Sequence, residues 1–269
     1  MADLFYQDDI SFLHIEKWQR MNERLKVGFT TRNGGVSKAP FHSLNFGLHV
    51  SDHKAEVIAN RELLANKLKL PLESWVSGEQ THKTNIKIIS QEDKGKGSVD
   101  VHDALKDTDG LITNKPGIAC TAFFADCVPL YFFDPITGYI GIAHAGWKGT
   151  VNRIAEQMIQ TFKNVGADPT NILVAIGPCI SQEAYEVDEN VIHYVDDNLR
   201  SKVAIPKENN RYLLDLKQLN VEILLQYGIL RNNIDVTKYC TLQHNHLFFS
   251  HRRDNGKTGR MLGYIGYST

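Results

Sequence analysis

The sequence predicts an α+β sandwich. Apolar residues recur at the helical period in three separated segments, and short runs rich in Val, Ile, Phe and Tyr lie between them, too brief for helices. The two kinds of segment mix without a strict βαβ rhythm, which disfavours a doubly wound parallel sheet. A hydrophobic content of 42% against 23% charged residues gives 269 residues a sizeable core.

Taken in order, the first helix is expected over residues 54–70, with Ser51 and Asp52 as possible caps and Val57, Ile58, Leu64 and Leu68 on one side. Strands follow at 118–124, Val128–Phe133 and 139–143. The best helix spans 151–165, where Val151, Ile154, Ala155, Met158, Ile159, Phe162 and Val165 keep the 3.6-residue period, Thr150 can cap the start and Gly166 follows the end. A strand is expected at 172–176 and a helix at 216–227, the latter starting after Asp215 with Gln218 in a capping-box-like position and stopping at Gly228. The last strand is expected at 246–250. The polar stretches 91–103 and 202–210 are too short to separate independent units, so residues 1–269 read as one domain.

Charge and targeting signals narrow the function. Lys and Arg number 30 against 31 acids, so no chain-wide field attracts nucleic acid or an anionic membrane. Residues 1–7 are polar and lack the basic-then-apolar order of a signal peptide, and no apolar stretch approaches the ~18–20 residues that span a bilayer. Cys120, Cys127, Cys179 and Cys240 are sparse and form no C-x-x-C pair, which fits reduced thiols in a cytoplasm.

The turn Asp134-Pro135-Ile136-Thr137-Gly138 joins two apolar runs and predicts an antiparallel hairpin. Its open end carries Cys127 just before the first strand and His144 just after the second, where cross-strand side chains stand roughly 4.5–5.5 Å apart. A slip of one residue would send the two to opposite faces. The pair reads as a Cys–His nucleophile, as part of a metal site that needs a further ligand, or as a buried cysteine beside a backbone-bonded histidine. Ala145 to Thr150, with two glycines, lets a ligand approach the start of the next helix. His82, in a polar segment, has no local chelate spacing. Arg252 and Arg253 suit bidentate contact with phosphate, with Asp254 placed to orient one of them, and a solvated turn accounts for them equally well. Arg32 and Asn45 lie in segments that read first as turns.

A series of motifs runs from about residue 25 to the C-terminus: GFTTRNGGVS (28–37), SLNFGLHVSD (43–52), Asn60-Arg61, GEQTH (78–82) and TDGLIT (108–113). ADCVP (125–129), IAHAGWKG (142–149), GPCISQEAYEV (177–187), SHRRD (250–254) and Gly259-Arg260 complete it. Together they resemble the YfiH family, the laccase-domain proteins. The resemblance implies a single-domain layered α/β/β/α sandwich with mixed sheets, and metal ligands and catalytic groups at His82, Cys127 and His144. It implies a purine nucleoside phosphorylase acting on adenosine, inosine, guanosine and methylthioadenosine, with adenosine deaminase activity. Lys83 departs from the glycine that many members carry after the first histidine.

A His-His-Cys set with an open position suits Zn²⁺, although Cu²⁺ outcompetes it at most nitrogen and sulfur sites. Asp126 or Glu79 is the adjacent carboxylate for moving protons, and Arg32, Asn45, Arg252 and Arg253 are the expected substrate and phosphate contacts. The expected partners are purine nucleosides and phosphate, with no nucleic acid or membrane, for a monomer or weak homodimer. The Cys127–His144 pair also reads as a metal-free hydrolase, and the resemblance carries two further labels: peptidoglycan editing, which such a hydrolase would perform, and copper-dependent polyphenol oxidase. The second needs repeated His-x-His pairs, and the chain offers one, His244-Asn245-His246.

Overall fold

In the computed structural model residues 3–268 are described; Met1, Ala2 and Thr269, which belong to the expected 1–269 span, lie outside the described residues. The chain begins β1 (Tyr6–Asp9), β2 (Phe12–His14), α1 (Glu16–Met21), β3 (Leu25–Thr30) and α2 (Lys54–Leu68). It continues with β4 (Trp75–Ser77), β5 (Ile86–Ile88), β6 (Gly110–Thr113), β7 (Ala119–Phe124), β8 (Val128–Phe133) and β9 (Ile140–Ala145). Then come α3 (Trp147–Val151), α4 (Ile154–Asn164), β10 (Leu173–Ile176), β11 (Glu186–Asp188), α5 (Glu189–Ile192) and α6 (Asp197–Val203). The last elements are β12 (Ala204–Lys207), β13 (Arg211–Leu214), α7 (Leu216–Gln226), β14 (Ile234–Val236) and β15 (Met261–Tyr267).

Two six-stranded sheets form, in the orders β1-β2-β3-β15-β7-β4 and β14-β10-β8-β9-β6-β5, with a small third sheet β11-β13-β12. Both large sheets are mixed: β4–β7, β5–β6 and β10–β14 pair in parallel, and their other neighbours are antiparallel. Side-chain alternation sets the layers. On β7, Cys120, Ala122 and Phe124 face Tyr131 and Phe133 of β8 in one core cluster between the sheets. Leu130 and Phe132 turn the other way, against Ile154, Met158, Ile159 and Phe162 of α4 and Leu219 and Ile223 of α7. Ala119 and Phe123 likewise turn outward, onto Leu64, Ala65 and Leu68 of α2. The order is therefore helix, sheet, sheet, helices, the α/β/β/α sandwich expected.

The helices differ from expectation in instructive ways. α2 ends at Leu68 because Lys69 is left-handed (φ 55°), and its N-cap is His53 rather than Ser51 or Asp52. The stretch expected as one helix over 151–165 is two: Arg153 at φ 66° breaks it, so Thr150 lies inside α3 and Arg153 caps α4. Asp215 does cap α7, its side chain accepting from the Gln218 N–H at 2.9 Å, but the Gln218 side chain donates onward to Glu222 instead of closing a capping box. No strand forms at 246–250. Phe248 and Phe249 are buried there, yet Phe249 N–H turns to the Met261 sulfur and the Phe248 carbonyl accepts from Arg253, so no ladder is available.

Candidate metal centre

The chain crosses from the first sheet to the second at residues 125–127, between the end of β7 and the start of β8. Asp126 is left-handed there, at φ 83°. Its carboxylate compensates by accepting from Thr241 Oγ1 at 2.6 Å, Ser250 Oγ at 3.0 Å and the Arg252 N–H at 2.7 Å. This turn presents Cys127 at the open end of the β8–β9 hairpin. Closure of that hairpin is local: Asp134 accepts from Ile136 N–H and Thr137 Oγ1, and Gly138 supplies φ 71°.

The register answers the question the sequence leaves open. Pro129 pairs with His144 and Val128 with Ala145, so His144 belongs to β9 rather than following it. Continued by one step, Cys127 stands opposite Gly146. His144 is its diagonal neighbour, two residues away and therefore on the same face. Gly146 leaves the space between them empty; a Cβ at that position would lie 3.0 Å from Cys127 Sγ and 3.0 Å from His82 Cδ2.

His82 arrives from a loop far away in sequence. Gln80 pins that loop to the end of β7, donating to the Phe123 carbonyl and accepting the Phe123 N–H, both at 2.8 Å. Gln80 and His82 are both left-handed, at φ 55° and 61°. The buried carboxylate of Asp109 holds this shape: it accepts the N–H groups of Thr81, His82 and Lys83, each at 3.0 Å. The same carboxylate meets His144 Nδ1 at 3.0 Å. A carboxylate has no proton to give, so His144 carries Nδ1–H and its Nε2 is free to ligate. One side chain thus orients one imidazole and the loop bearing the other.

Ligand atoms of His82, Cys127 and His144 lie within 4.8 Å of one another. The two imidazoles meet edge to face, centroids 4.7 Å apart. His82 is exposed, Cys127 half-buried and His144 buried, so the cluster opens on one side only. Burial alone would push the Cys127 thiol up, but His144 and His82 outweigh it and bring it down to about 6. Burial opposes the His144 imidazolium, and Cys127 and Asp109 nevertheless raise it to about 9. Two imidazole nitrogens and a thiolate make a donor set of the kind that binds Zn²⁺ at about 2.0–2.3 Å. Among the described residues no other group of three His, Cys, Asp or Glu converges this way.

The family model of multi-copper polyphenol oxidoreductase laccases matches residues 26–268. The chain belongs to this laccase-domain family. Purine nucleoside phosphorylase YlmD of Bacillus subtilis is 45% identical over 262 residues, covering 95% of this chain and 94% of the relative. The protein of the same name from Geobacillus stearothermophilus is 44% identical over 246 residues, 89% of each chain. The crystal structure of Bacillus licheniformis YfiH superposes with a TM-score of 0.95 at 43% identity, covering 99% of this chain and all of that one. The laccase-domain membership and the sandwich expected from the motifs both stand.

Within this laccase-domain chain, the expected substrate contacts separate into two kinds. Asn45 is fully buried, donates to Asp52 and accepts the N–H groups of Gly47 and Arg260. Arg32 spends its guanidinium on the His42 and Asn245 carbonyls, over the Phe249 ring. Arg253 forms a fork with Asp254, at 2.8 and 3.0 Å, and reaches the Thr241, Leu242 and Phe248 carbonyls. In the structure these three side chains hold loops together. Arg252 is the exception: it is exposed, lies over the Tyr185 ring at 5.1 Å and uses only Nη1, on the Glu186 carbonyl. Asp126 has both oxygens occupied, whereas Glu79 is exposed and accepts only the Asp107 N–H, with Lys106 at 3.7 Å.

Sequence reasoning missed Asp109 and Gln80. The first sits in TDGLIT and the second in GEQTH, but their work is done through backbone groups that no spacing reveals. The His244-x-His246 pair stays apart from the cluster, with His244 Nδ1 against the Cys240 backbone. A cavity of about 250 Å³ lined by Val151, Arg153, Tyr194 and Leu219 contains no cluster residue; a smaller one adjoins the centre, lined by His49, Glu79, Gln80 and Phe123.

Proposed function

We propose that this chain is a zinc-dependent purine nucleoside phosphorylase that also deaminates adenosine. The observation that carries the reading is the convergence of His82, Cys127 and His144 with one imidazole open to solvent. Its relatives at up to 45% identity bear the phosphorylase name. A bound Zn²⁺ would supply Lewis acidity at the open face, polarising the purine or a water.

The chain's own residues do the rest. Asp109 keeps His144 in the tautomer that ligates and keeps His82 in place. Arg252 offers a guanidinium, uncompensated by any carboxylate within bridging distance among the described residues, to an anionic co-substrate. In phosphorolysis a phosphate oxygen bonds to ribose C1′, the C1′–N9 bond breaks with its electron pair going to the purine, and the purine takes a proton. In deamination water adds at C6 and ammonia leaves, which needs a carboxylate to move protons. Glu79 is placed in that role, since Asp126 is committed to Thr241, Ser250 and Arg252. Adenosine, inosine, guanosine and methylthioadenosine are the proposed substrates, for a single-domain cytoplasmic protein, monomeric or weakly dimeric, that uses neither nucleic acid nor membrane.

Product analysis tests this. Zinc-loaded protein is incubated with inosine and adenosine, with and without phosphate. Hypoxanthine and ribose 1-phosphate from inosine, strictly dependent on phosphate, are expected; no conversion of any purine nucleoside defeats the proposal. The lowered Cys127 thiol also suits a metal-free Cys–His hydrolase. Activity on an amide substrate that survives chelation would favour that second reading. Copper oxidase chemistry lacks support beyond the family description, since a multi-copper centre needs several ligand groups and the described residues bring one together.

A further inference from the structure

Arg260 stands at the start of β15, where Met261 pairs with Phe124; the antiparallel register therefore places Arg260 across from Ala125, beside the turn that presents Cys127. Its position is fixed from three sides. The Asn45 side chain accepts the Arg260 N–H at 2.8 Å, the Arg260 carbonyl accepts the Phe46 N–H at 3.0 Å, and Gly47 lets the stem pass where a Cβ would lie 2.9 Å from Cγ. The guanidinium uses Nη1 alone, on the Thr258 and Gly259 carbonyls at 2.8 and 3.0 Å. Its Nε and Nη2 have no partner among the described residues, and neither is a buried orphan, so both open to solvent. Among the described residues no carboxylate lies within bridging distance of Arg260 or of Arg252, whereas Arg153, Arg200, Arg211 and Arg253 each have one.

Two uncompensated guanidiniums thus flank residues 125–127: Arg260 through the sheet register, Arg252 through its backbone bond to Asp126. We infer that Arg260 and Arg252 form a subsite for inorganic phosphate beside the His82–Cys127–His144 cluster, and that Asn45 is buried in order to position Arg260. The inference rests on the phosphorylase reading for its ligand. Electrostatics agree: burial pulls the Arg260 guanidinium down, while Cys127 and Asp126 act to raise it, and burial first, then Arg260, depresses the nearby His49. A tetrahedral dianion supplies what is missing, namely charge and acceptors for planar donor forks. All three guanidinium nitrogens of Arg32 and of Arg253 already hold carbonyls or a carboxylate, whereas two of Arg260's do not, and this gives Asn45 and the Gly259-Arg260 motif a purpose.

The test is calorimetric titration of inorganic phosphate into zinc-loaded wild type, Arg260→Met, Arg260→Lys and Arg252→Met. Removing one charge-assisted fork is expected to weaken phosphate binding by about 10–100-fold in Arg260→Met, with zinc content and thermal midpoint retained. Arg260→Lys, which keeps stem and charge, is expected to fall between and serves if the methionine variant does not fold. Wild-type affinity in both Arg260 variants, as expected if phosphate sits on the ion alone, overturns the inference, and so does a wild type that binds no phosphate. Phosphate bound by wild type and lost in Arg260→Met, in a protein that cleaves no nucleoside, upholds the subsite and defeats the phosphorylase reading instead.

Discussion

Asp109 concentrates more of the centre's order than any ligand does. Its two oxygens serve five groups, three of them backbone N–H groups of the loop carrying His82. Burial acts to raise its carboxyl, but His144 and those N–H groups hold it below its ordinary range. Asp109→Asn replaces an acceptor with an amide that meets donors, so zinc affinity is expected to fall roughly 10–100-fold. Competition with a chromophoric chelator measures this, and wild-type affinity would falsify the role. Cys127 gives a pH prediction. In metal-free protein its thiolate forms as pH rises through about 6, so its alkylation rate is expected to climb from pH 5 to a plateau above 7. Cys179, buried and pushed up to about 12, stays unreactive in the folded protein over that range. Removing His144 takes away the compensating imidazole and moves the Cys127 midpoint upward; an unmoved midpoint would show that the imidazole does not set it.

At the scale of elements, the hairpin and the break after α3 determine what reaches the centre. β8 and β9 could carry Cys127 and His144 on one face only in registers offset by an even number of residues, and the observed offset is two. Gly146, opposite Cys127, is then the residue that must have no side chain. Gly146→Ala is expected to abolish tight zinc binding while leaving far-UV circular dichroism unchanged, because its Cβ would press on Sγ and His82 from 3.0 Å. Full zinc stoichiometry in that variant would mean the side chains have room to step aside. The α3–α4 break has a comparable logic. Arg153 takes the left-handed conformation, donates to Asp196 and Gln226, and lets α4 start afresh with Ile154, Ala155, Met158, Ile159 and Phe162 on the sheet. Burying such side chains stabilises by about 1.5–3 kcal/mol each, enough to outweigh one strained residue.

For the molecule as a whole, Asp126 is the fastening between distant parts of the chain. It lies in the crossing between the two sheets and accepts from Thr241, Ser250 and Arg252, more than a hundred residues later. Asp126→Ala leaves those donors without their acceptor, at a cost of about 1–3 kcal/mol for each that remains buried. The expected result is a lower urea midpoint with an unchanged slope, and faster amide exchange at Arg252. Exchange unaltered at that amide would show the loop to be held by Arg253 and Asp254 instead.

Helical period, turn chemistry and the alternation of β-formers were readable along the chain because each depends on neighbours within a few residues. They located α2, α7, the β8–β9 hairpin and the strands β7 and β10 to within a few positions. The 246–250 run misled because its apolar residues are buried without a ladder, and burial is a property of the packed chain. The ligand trio was named through motifs, but the approach of His82 to the hairpin depends on Asp109 and Gln80 bonding to backbone from a different part of the chain. Which arginines stay free was invisible for the same reason: Arg32, Arg252, Arg253 and Arg260 carry one chemistry, and only the carbonyls and carboxylates that packing brings beside each one separate the struts from the open donors.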